Sequence, residues 1–306
     1  MISVFKKTIH DKELRQVDEP KQGSWISLVD PTEEEINKIV NDLDLDRKNL
    51  TDALDEYELP RIEKEEDVMY VLIKTPLEEN DAIYTIPIGI VITKDYVITI
   101  TKKMNSVIES VLSKNKNIYT TQKINFMIHL FLLVSNKYDH YLKKISKEIK
   151  RRKTKMADLS NDDIINIIKQ EDVLNDFISS FLPTVNIFEK LLGGKYIPLY
   201  QNDKDIIEDV LINSRQTLDI CKSNITTATN IREAYSTVLS NNLNKTIKLL
   251  TVFTIILAIP TTIASLFGMN VLLPMKDNPR MFVYILSTVF GITALLIYIF
   301  FRKKWI

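Results

Sequence analysis

Charged residues are missing from two stretches in the last quarter of the sequence. No charged residue occurs from Leu249 to Met275, and a second apolar stretch extends from Met281 to Phe301. Each contains about 20 residues, which as an α-helix cross the roughly 30 Å hydrocarbon core of a membrane. Only helices could cross there, because lipid satisfies no backbone polar group. A buried core hairpin is the alternative, but two uncharged stretches of this length favour a pair of membrane spans.

One very long helix is predicted to lead into the first span. It begins near Asp203, meets no glycine or proline before Pro260 and, if continued to Phe267, has about 65 residues. A helix of this length is not supported by its own short-range bonds. It therefore needs lateral partners, either other helices of the chain or copies of itself.

Two earlier segments are predicted to form an antiparallel helical hairpin. The first covers residues 121–156, and the second starts at Ser160, with Asp163 as a cap signal, and ends before Gly193. Between Lys137 and Lys155 there are nine Lys or Arg residues against two acids. This run is interpreted as a solvated helix face, with a basic surface near anionic lipid or an acidic neighbouring subunit as the alternative.

The first hundred residues have the pattern of an α/β domain. Runs rich in Val, Ile, Tyr and Thr predict strands. They are Trp25–Val29, Val68–Lys74, Ile83–Thr93 and Tyr96–Thr101. A helix start is predicted after the first of them, with Asp30 as N-cap, Pro31 at the first position and Glu33 closing a capping box. A mixed or antiparallel sheet with short helices is expected.

These patterns give a seven-part plan of the chain. Its parts are a cytoplasmic α/β domain (1–120), a helical hairpin (121–194), a stalk helix (203–245), a first span (246–269), an extracellular loop (271–280), a second span (281–301) and a basic tail (302–306). Residues 1–10 alternate and include Lys6 and Lys7, which predicts a first strand and not a targeting segment. We therefore expect both termini in the cytoplasm, in agreement with the positive-inside rule for the tail.

Composition and motifs restrict the chemistry that the protein could carry out more than they restrict its fold class. The 306 residues are 45% hydrophobic with a formal net charge of zero. These averages hide the difference between residues 1–245, which carry most of the charge, and the last 60 or so residues, where apolar residues are concentrated. One cysteine, Cys221, excludes an internal disulfide, and the three histidines have no zinc-ligand spacing. No phosphate-binding loop, dinucleotide fingerprint or nucleophile motif occurs, so neither an enzyme nor a cofactor is expected. A nucleic-acid partner is not expected either.

Polar residues recur at helical spacing in and just before the first span. They are Asn244, Thr251, Thr254, Thr261 or Thr262, and Ser265, with Ile247, Leu250 and Ala258 interleaved on nearly the same face. Because one pair of helices cannot enclose an aqueous path, conduction would require a symmetric oligomer. Rings of neutral oxygens suit a hydrated divalent cation such as Mg²⁺, which gives up its waters reluctantly. Alternatively, these hydroxyls bond to the preceding turn or to a neighbouring helix.

The first span ends in an aromatic-Gly-Met-Asn motif, Phe267-Gly268-Met269-Asn270. A polar domain, a long helix and two membrane helices with this motif at the outer turn resemble the CorA family of magnesium transporters. The stretch that begins at Trp25 and the segment Leu59–Glu63 also resemble the cytoplasmic domain of that family. The resemblance implies an α/β cytoplasmic domain plus a long helical stalk and two C-terminal transmembrane helices, assembled as a homopentameric funnel.

The resemblance also implies roles for individual residues. The selectivity motif would be Gly268, Met269 and Asn270, and the pore-lining residues Asn244, Ile247, Leu250, Thr254, Ala258 and Thr261. Asp209 would bind regulatory metal between subunits, and Glu233 would form an inner acidic ring. The partner of Asp209 would be a carboxylate of the next subunit, with Asp55, Glu56, Glu63, Glu65, Glu66 and Asp67 as candidates.

The function implied is inward, channel-type transport of hydrated Mg²⁺, gated by intracellular Mg²⁺, across a prokaryotic plasma membrane. Mg²⁺ would be both substrate and regulatory ligand. The sequence departs from many family members in the outer loop, where Met275 or Lys276 stands at the position of a glutamate. Ion preference is therefore open, and a zinc or cobalt/nickel transporter on the same scaffold is the alternative. A membrane-anchored sensor or scaffold, and an enzyme in the α/β domain, are the other candidates.

Overall fold

The computed structural model describes residues 1–113, 118–154, 159–270, 280–303 and 305. One sheet contains its seven strands, β1 (Ile2–Lys6), β2 (Arg15–Gln16), β3 (Trp25–Val29), β4 (Arg61–Glu65), β5 (Val68–Glu79), β6 (Ala82–Ile92) and β7 (Val97–Thr101). The strand order is β2-β1-β3-β7-β6-β5-β4, and only β3 and β7 pair in parallel. The mixed sheet agrees with the prediction, whereas β2 and β4 were not predicted.

Seven helices are described. They are α1 (Glu33–Leu43), α2 (Arg47–Asp52), α3 (Ser106–Ser113), α4 (Lys123–Thr154), α5 (Asn161–Leu192), α6 (Gln201–Phe267) and α7 (Met281–Arg302). Helix α5 begins as predicted, because Ser160 and Asp163 form a reciprocal capping box. Helix α3 was not predicted.

The predicted start of α1 is wrong by two residues. The N-cap is Thr32, whose hydroxyl accepts from the backbone of Glu35, and the Glu35 carboxylate accepts from the backbone of Thr32. Asp30 has a φ of 47° and lies outside the helix. A capping box therefore forms, but two positions later than predicted. The shift arises because Asp30, the residue after β3, is left-handed, and the helix begins only beyond it.

The sheet is covered on both faces. Alternation along β3 sends Trp25 into the core on the side of the long helices and sends Ile26 and Leu28 into a smaller core against α1 and α2. Helix α2 lies very close to the sheet at Gly89, where an added Cβ would be 2.6 Å from the Cβ of Ala53. A glycine at this point of β6 is what allows that approach.

Helices α4 and α5 run antiparallel, as predicted. Phe131 packs against Phe188 with the rings tilted and their centroids 4.9 Å apart, whereas Tyr138 stacks on Phe181 at 4.1 Å. As residue numbers rise along α4 they fall along α5, which defines opposite directions. The tyrosine is fully buried, and its hydroxyl donates to the backbone carbonyl of Lys74 on β5.

The chain forms two compact units, Met1–Ile231 and Arg232–Ile306. Helix α6 is continuous across this division and through Pro260. The division falls inside the stalk helix predicted at 203–245, and the predicted seven-part plan remains a prediction.

Candidate ion pathway

The aromatic-Gly-Met-Asn motif lies at the end of α6. Phe267 is the last residue of the helix, and the backbone N–H of Gly268 donates to the carbonyl of Ala264 at 2.9 Å. A Cβ at Gly268 would be 3.2 Å from the same carbonyl oxygen, closer than side-chain carbons normally approach. Met269 and Asn270 are exposed. The predicted loop 271–280 lies outside the described residues except for Arg280.

Every predicted pore-lining residue is exposed in the single chain. Ile247 is 50% and Leu250 65% exposed, and both lie on a helix that is long and apolar enough to cross a membrane. The six residues lie within an arc of about 120° on α6 at 100° per residue. They are Asn244, Ile247, Leu250, Thr254, Ala258 and Thr261. We call this set the lining stripe.

The opposite side of the same helix is partly covered. Val252 is only 2% exposed, and the half-buried positions follow it at helical spacing. They are Ile255, Ile256, Ile259, Pro260 and Ile263. Half-buried residues of α7 recur with a similar period, from Met281 through Ile285 and Val289 to Leu296. This is the pattern of two apolar spans that cover one another, and it leaves the lining stripe open.

The threonines of the first span bond to their own helix. The hydroxyl of Thr251 donates to the carbonyl of Ile247 at 2.8 Å, and that of Thr254 donates to the carbonyl of Leu250 at 2.9 Å. Thr261 donates to the carbonyl of Leu257 at 2.7 Å. These hydroxyls therefore bond to the preceding turn of their own helix and not to a neighbouring helix. Thr254 and Thr261 can still offer acceptor sites on the lining stripe, because a donating hydroxyl keeps its lone pairs as acceptors.

Of the acids at the start of α6, two accept hydrogen bonds from other side chains of the described chain and two are exposed without such bonds. Asp203 is buried and accepts from the side-chain amide of Asn125 at 3.3 Å, and Asp205 accepts from Gln201 at 2.8 Å. Glu208 and Asp209 are exposed, and neither side chain has a hydrogen bond or ion pair within the described chain. Glu233 is also exposed.

Among the described residues, no group of three or more Asp, Glu, His or Cys side chains is placed to hold a metal ion. Among the described residues, Asp209 therefore belongs to no such group with its six candidate partners. Three candidates are engaged elsewhere, since Asp55 accepts from the backbone of Tyr57, Glu56 pairs with Lys102 and Glu63 pairs with Arg61. Glu65, Glu66 and Asp67 are exposed without such partners in the described chain.

Cys221 is a packing residue of α6. It is 1% exposed, and burial raises the pKa of its thiol to about 12. A thiol with this pKa stays protonated at neutral pH, whereas a metal ligand must be a thiolate.

Sequence reasoning missed a series of polar contacts between α4 and α6. Besides Asn125 and Asp203, the hydroxyls of Ser135 and Ser214 lie 3.2 Å apart, and Asn224 donates to Ser146 at 2.6 Å. The partners are separated by 78 or 79 residues in each case, so the two helices run parallel in one register. Small polar residues that recur 78 or 79 positions apart are the sequence signal from which these contacts could have been predicted.

The basic run on α4 is partly paired. Lys143 bonds to Asp139 and Lys144 to Glu78, whose carboxylate raises the pKa of the lysine. Arg152 bonds to Glu148 and lies near Asp163 at the start of α5. These contacts fit the interpretation of a solvated helix face with local ion pairs.

By length and composition, helices α6 and α7 are long and apolar enough to cross a membrane. The model of the family described as CorA-like Mg2+ transporter protein matches residues 20–304. A cobalt/magnesium transport protein CorA of Methanocaldococcus jannaschii is 27% identical over 290 residues, which are 92% of this chain and 91% of the relative.

Two solved structures share the fold over nearly the whole chain. The complete structure of the CorA magnesium transporter from Methanocaldococcus jannaschii matches with a TM-score of 0.88 at 24% identity, covering 100% of this chain and 99% of the other. The full-length CmaX protein matches with a TM-score of 0.74 at 15% identity, covering 99% and 97%. The α/β domain, the long helix and the apolar helix α7 together therefore constitute a known fold.

Proposed function

The chain belongs to the family of CorA-like Mg2+ transporters, and from this premise we propose that it passes Mg²⁺ through a pore lined by α6. The observation that carries the proposal is the lining stripe, a row of exposed polar and apolar residues on a membrane span that ends in Gly268-Met269-Asn270. A span that served only as an anchor would have no need for an amide and threonines on one face.

The pore requires several copies of the chain. Two spans cannot surround water, whereas a ring of α6 helices would bury the exposed aliphatic side chains of Ile247 and Leu250 against the axis and the neighbouring copies. We propose a homopentamer, the assembly that the resemblance implies. Its outer surface in the membrane would contact lipid through the exposed aromatic residues of α7, among them Phe290 and Tyr298.

Asn270 and Asn244 are proposed as the two polar ends of the path. Both asparagines are exposed, Asn244 on α6 and Asn270 three residues after its end, and their side-chain carbonyl oxygens can accept hydrogen bonds from the water shell of a cation. Binding through water suits Mg²⁺, because its dehydration is slow and costly. Ile247 and Leu250 follow the inner end as apolar rings, which can close the path by excluding water.

Transport inward needs no ATP. A membrane potential of 100 mV contributes about 2.3 kcal/mol per charge, hence roughly 4.6 kcal/mol for a divalent cation. We place the protein in a prokaryotic plasma membrane with both termini in the cytoplasm. Arg302, the last residue of α7, and Lys303, which follows it, fit this orientation.

Intracellular Mg²⁺ is proposed to close the channel by binding between subunits at Asp209. The exposed, unengaged carboxylate fits a site completed by another copy, and Glu65, Glu66 and Asp67 are the candidate partners with carboxylates still available. Low internal Mg²⁺ would empty the site and loosen the subunits. Glu233 would attract cations at the inner end of the path.

In this scheme the α/β domain senses ions and does not catalyse a reaction.

Replacing Asp209 with Lys puts a positive charge in the proposed site, so internal Mg²⁺ should inhibit the channel much less than in the wild type. Patch recordings with stepwise internal Mg²⁺ measure this, with Asp205→Lys as a matched control in the same helix turn. Equal inhibition of wild type and Asp209→Lys would remove Asp209 from the mechanism.

Cobalt is the second candidate substrate, because the curated relative is named a cobalt/magnesium transport protein. Nickel and zinc remain candidates on the same scaffold. They are distinguished by uptake assays and not by the fold.

The central test is uptake into proteoliposomes with a Mg²⁺-sensitive dye inside. Asn270→Ala should reduce Mg²⁺ influx to background, because the outer ring loses its acceptors. Asn242→Ala is the matched control, since Asn242 lies on α6 outside the lining stripe. Repeating the assay with Co²⁺, Ni²⁺ and Zn²⁺ assigns the substrate. Absence of influx of all four ions from an assembled protein would contradict the proposal.

A further inference from the structure

The hydroxyl of Thr293, on the second span, is buried and has no hydrogen-bond partner among the described residues. Two other hydroxyls of α7 behave differently. Those of Ser287 and Thr288 donate to the carbonyls one turn earlier, of Val283 and Tyr284, both at 2.8 Å. Inside a membrane there is no water to replace a missing partner, so an unbonded hydroxyl is unfavourable there. Thr293 is therefore a donor that lacks an acceptor.

The first span has the complementary defect at Pro260. Helix α6 is continuous through this residue. In an α-helix the N–H of each residue donates to the carbonyl four residues earlier, and proline has no N–H. The carbonyl of Ile256 therefore lacks its usual donor. Inside a membrane such a carbonyl is satisfied by a side-chain hydroxyl or by a neighbouring helix.

The donor and the acceptor lie on the covered sides of their helices and at the same depth. Ile256 and Pro260 are half-buried on the side of α6 opposite the lining stripe, and Thr293 is half-buried on α7. Ile256 lies eleven positions before Phe267, the end of α6, and Thr293 lies twelve positions after Met281, the start of α7. Consecutive spans cross a membrane in opposite directions. At 1.5 Å per residue, the two groups are therefore about 17 and 18 Å from the helix ends that the outer loop joins.

We propose that the hydroxyl of Thr293 donates to the carbonyl of Ile256 in the assembled channel, so that α7 supplies the hydrogen bond that Pro260 removes from α6. Thr293 is then a positioning residue, which holds the first span at its only proline. The single chain leaves room for a closer contact, because in the first span only Val252 is buried and its neighbours on that side are half-buried. Packing of further copies against the two spans would close this gap. The proposal rests on the membrane hairpin and the assembly of the proposed function, and not on the ion transported.

The competing acceptor for this hydroxyl is the carbonyl of Val289, one turn earlier on α7. Pro260 distinguishes the two acceptors. Replacing Pro260 with Ala restores an N–H that can bond to the carbonyl of Ile256, which makes a cross-span bond from Thr293 redundant. A bond within α7 would not be affected by that change.

Replacing Thr293 with Val tests the bond, because valine keeps the shape and removes the hydroxyl. The purified assembled protein should then dissociate in SDS about three times faster, the effect of one average hydrogen bond between membrane helices. Size-exclusion chromatography of samples taken at intervals measures the rate. Thr293→Ser should restore the wild-type rate, and in the Pro260→Ala protein Thr293→Val should leave the rate unchanged. Thr288→Val is the matched control, because that hydroxyl bonds within α7.

An equal acceleration by Thr293→Val with and without Pro260 would overturn the proposal, as would a wild-type rate in Thr293→Val itself. Pro260→Leu replaces Pro260→Ala if the latter does not assemble, since leucine also supplies the N–H. Failure of the proposed function looks different. An assembled wild-type protein that passes no divalent cation would contradict the proposed function alone, whereas a wild-type protein that does not assemble would overturn both.

Discussion

Two parts of helix α6 have the same secondary structure and opposite surroundings. From Asp203 to Ile231 one side of the helix is buried within its own chain, by contacts with α4 and α5. From Arg232 to Phe267 only Val252 is buried. The first part obtains its lateral support from the subunit itself, as a helix of this length requires.

The second part cannot be understood from one chain. Its exposed aliphatic residues would be unfavourable in water, whereas lipid and, in the proposed pore, copies of the helix would cover them. The comparison separates folding from function along one helix. Mutations in the first part should act on stability, and mutations in the second part should act on conduction.

The largest expected difference comes from one substitution made in both parts. Leu218 is 4% exposed, whereas Leu250 is 65% exposed. Leu218→Ala should lower the free energy of unfolding by about 2–5 kcal/mol, because it leaves a cavity among α4, α5 and α6. Leu250→Ala should leave that free energy nearly unchanged and raise resting Mg²⁺ leak, because an apolar ring becomes smaller.

Denaturant unfolding followed by Trp25 fluorescence measures the first effect. Trp25 is fully buried, and the second tryptophan, Trp305, is removed as Trp305→Phe. If Leu250→Ala destabilised the first unit as much as Leu218→Ala does, the separation of folding from conduction would fail.

A smaller effect is expected at the start of α5, which helps to bury the first part of α6. Ser160→Ala removes the oxygen that accepts from the backbone of Asp163, at a cost of about 1 kcal/mol in unfolding free energy. Ser179→Ala in the same helix is the control, because that hydroxyl only donates to a carbonyl within the helix. Equal effects of the two substitutions would show that capping does not matter here.

The smallest effect is a pH dependence of the same cap. Hydrogen bonds from Ser160, first from its backbone and then from its hydroxyl, lower the pKa of Asp163. A carboxyl whose pKa is lower in the folded state stabilises the fold above its unfolded pKa and loses that contribution as the pH falls. The stability difference between wild type and Asp163→Asn should therefore shrink below about pH 4. A stability difference that does not change with pH would contradict this prediction.

The sequence predicted elements whose pattern is local. The two apolar spans, the strand Trp25–Val29 and the start of α5 depend on hydrophobic periodicity or on a cap within four residues. The start of α1 was misplaced because Asp30 adopts a left-handed conformation, which no neighbouring residue requires.

Residues that depend on distant partners were harder to predict. Asp203 reads as an ordinary acid in the first turn of a helix, yet it is buried against Asn125 of α4. The residues of the lining stripe could be placed on one face from the sequence because they share one helix, and their place in a pore stays a prediction. The proposed partner of Asp209 could not be identified, since a contact between copies would leave no periodicity in a single sequence.

The buried side of α6 also determines how the helix can move. From Ile207 to Ile231 its buried positions recur after alternating steps of three and four residues, an average of 3.5. An ideal helix has 3.6 residues per turn, so the contact line drifts by about 20° every seven residues unless the helices coil with a left hand. When side chains pack along such a coiled line, sliding one helix along the other is coupled to rotation about its axis. A displacement of α6 along α4 that kept this contact would therefore also rotate α6 about its own axis.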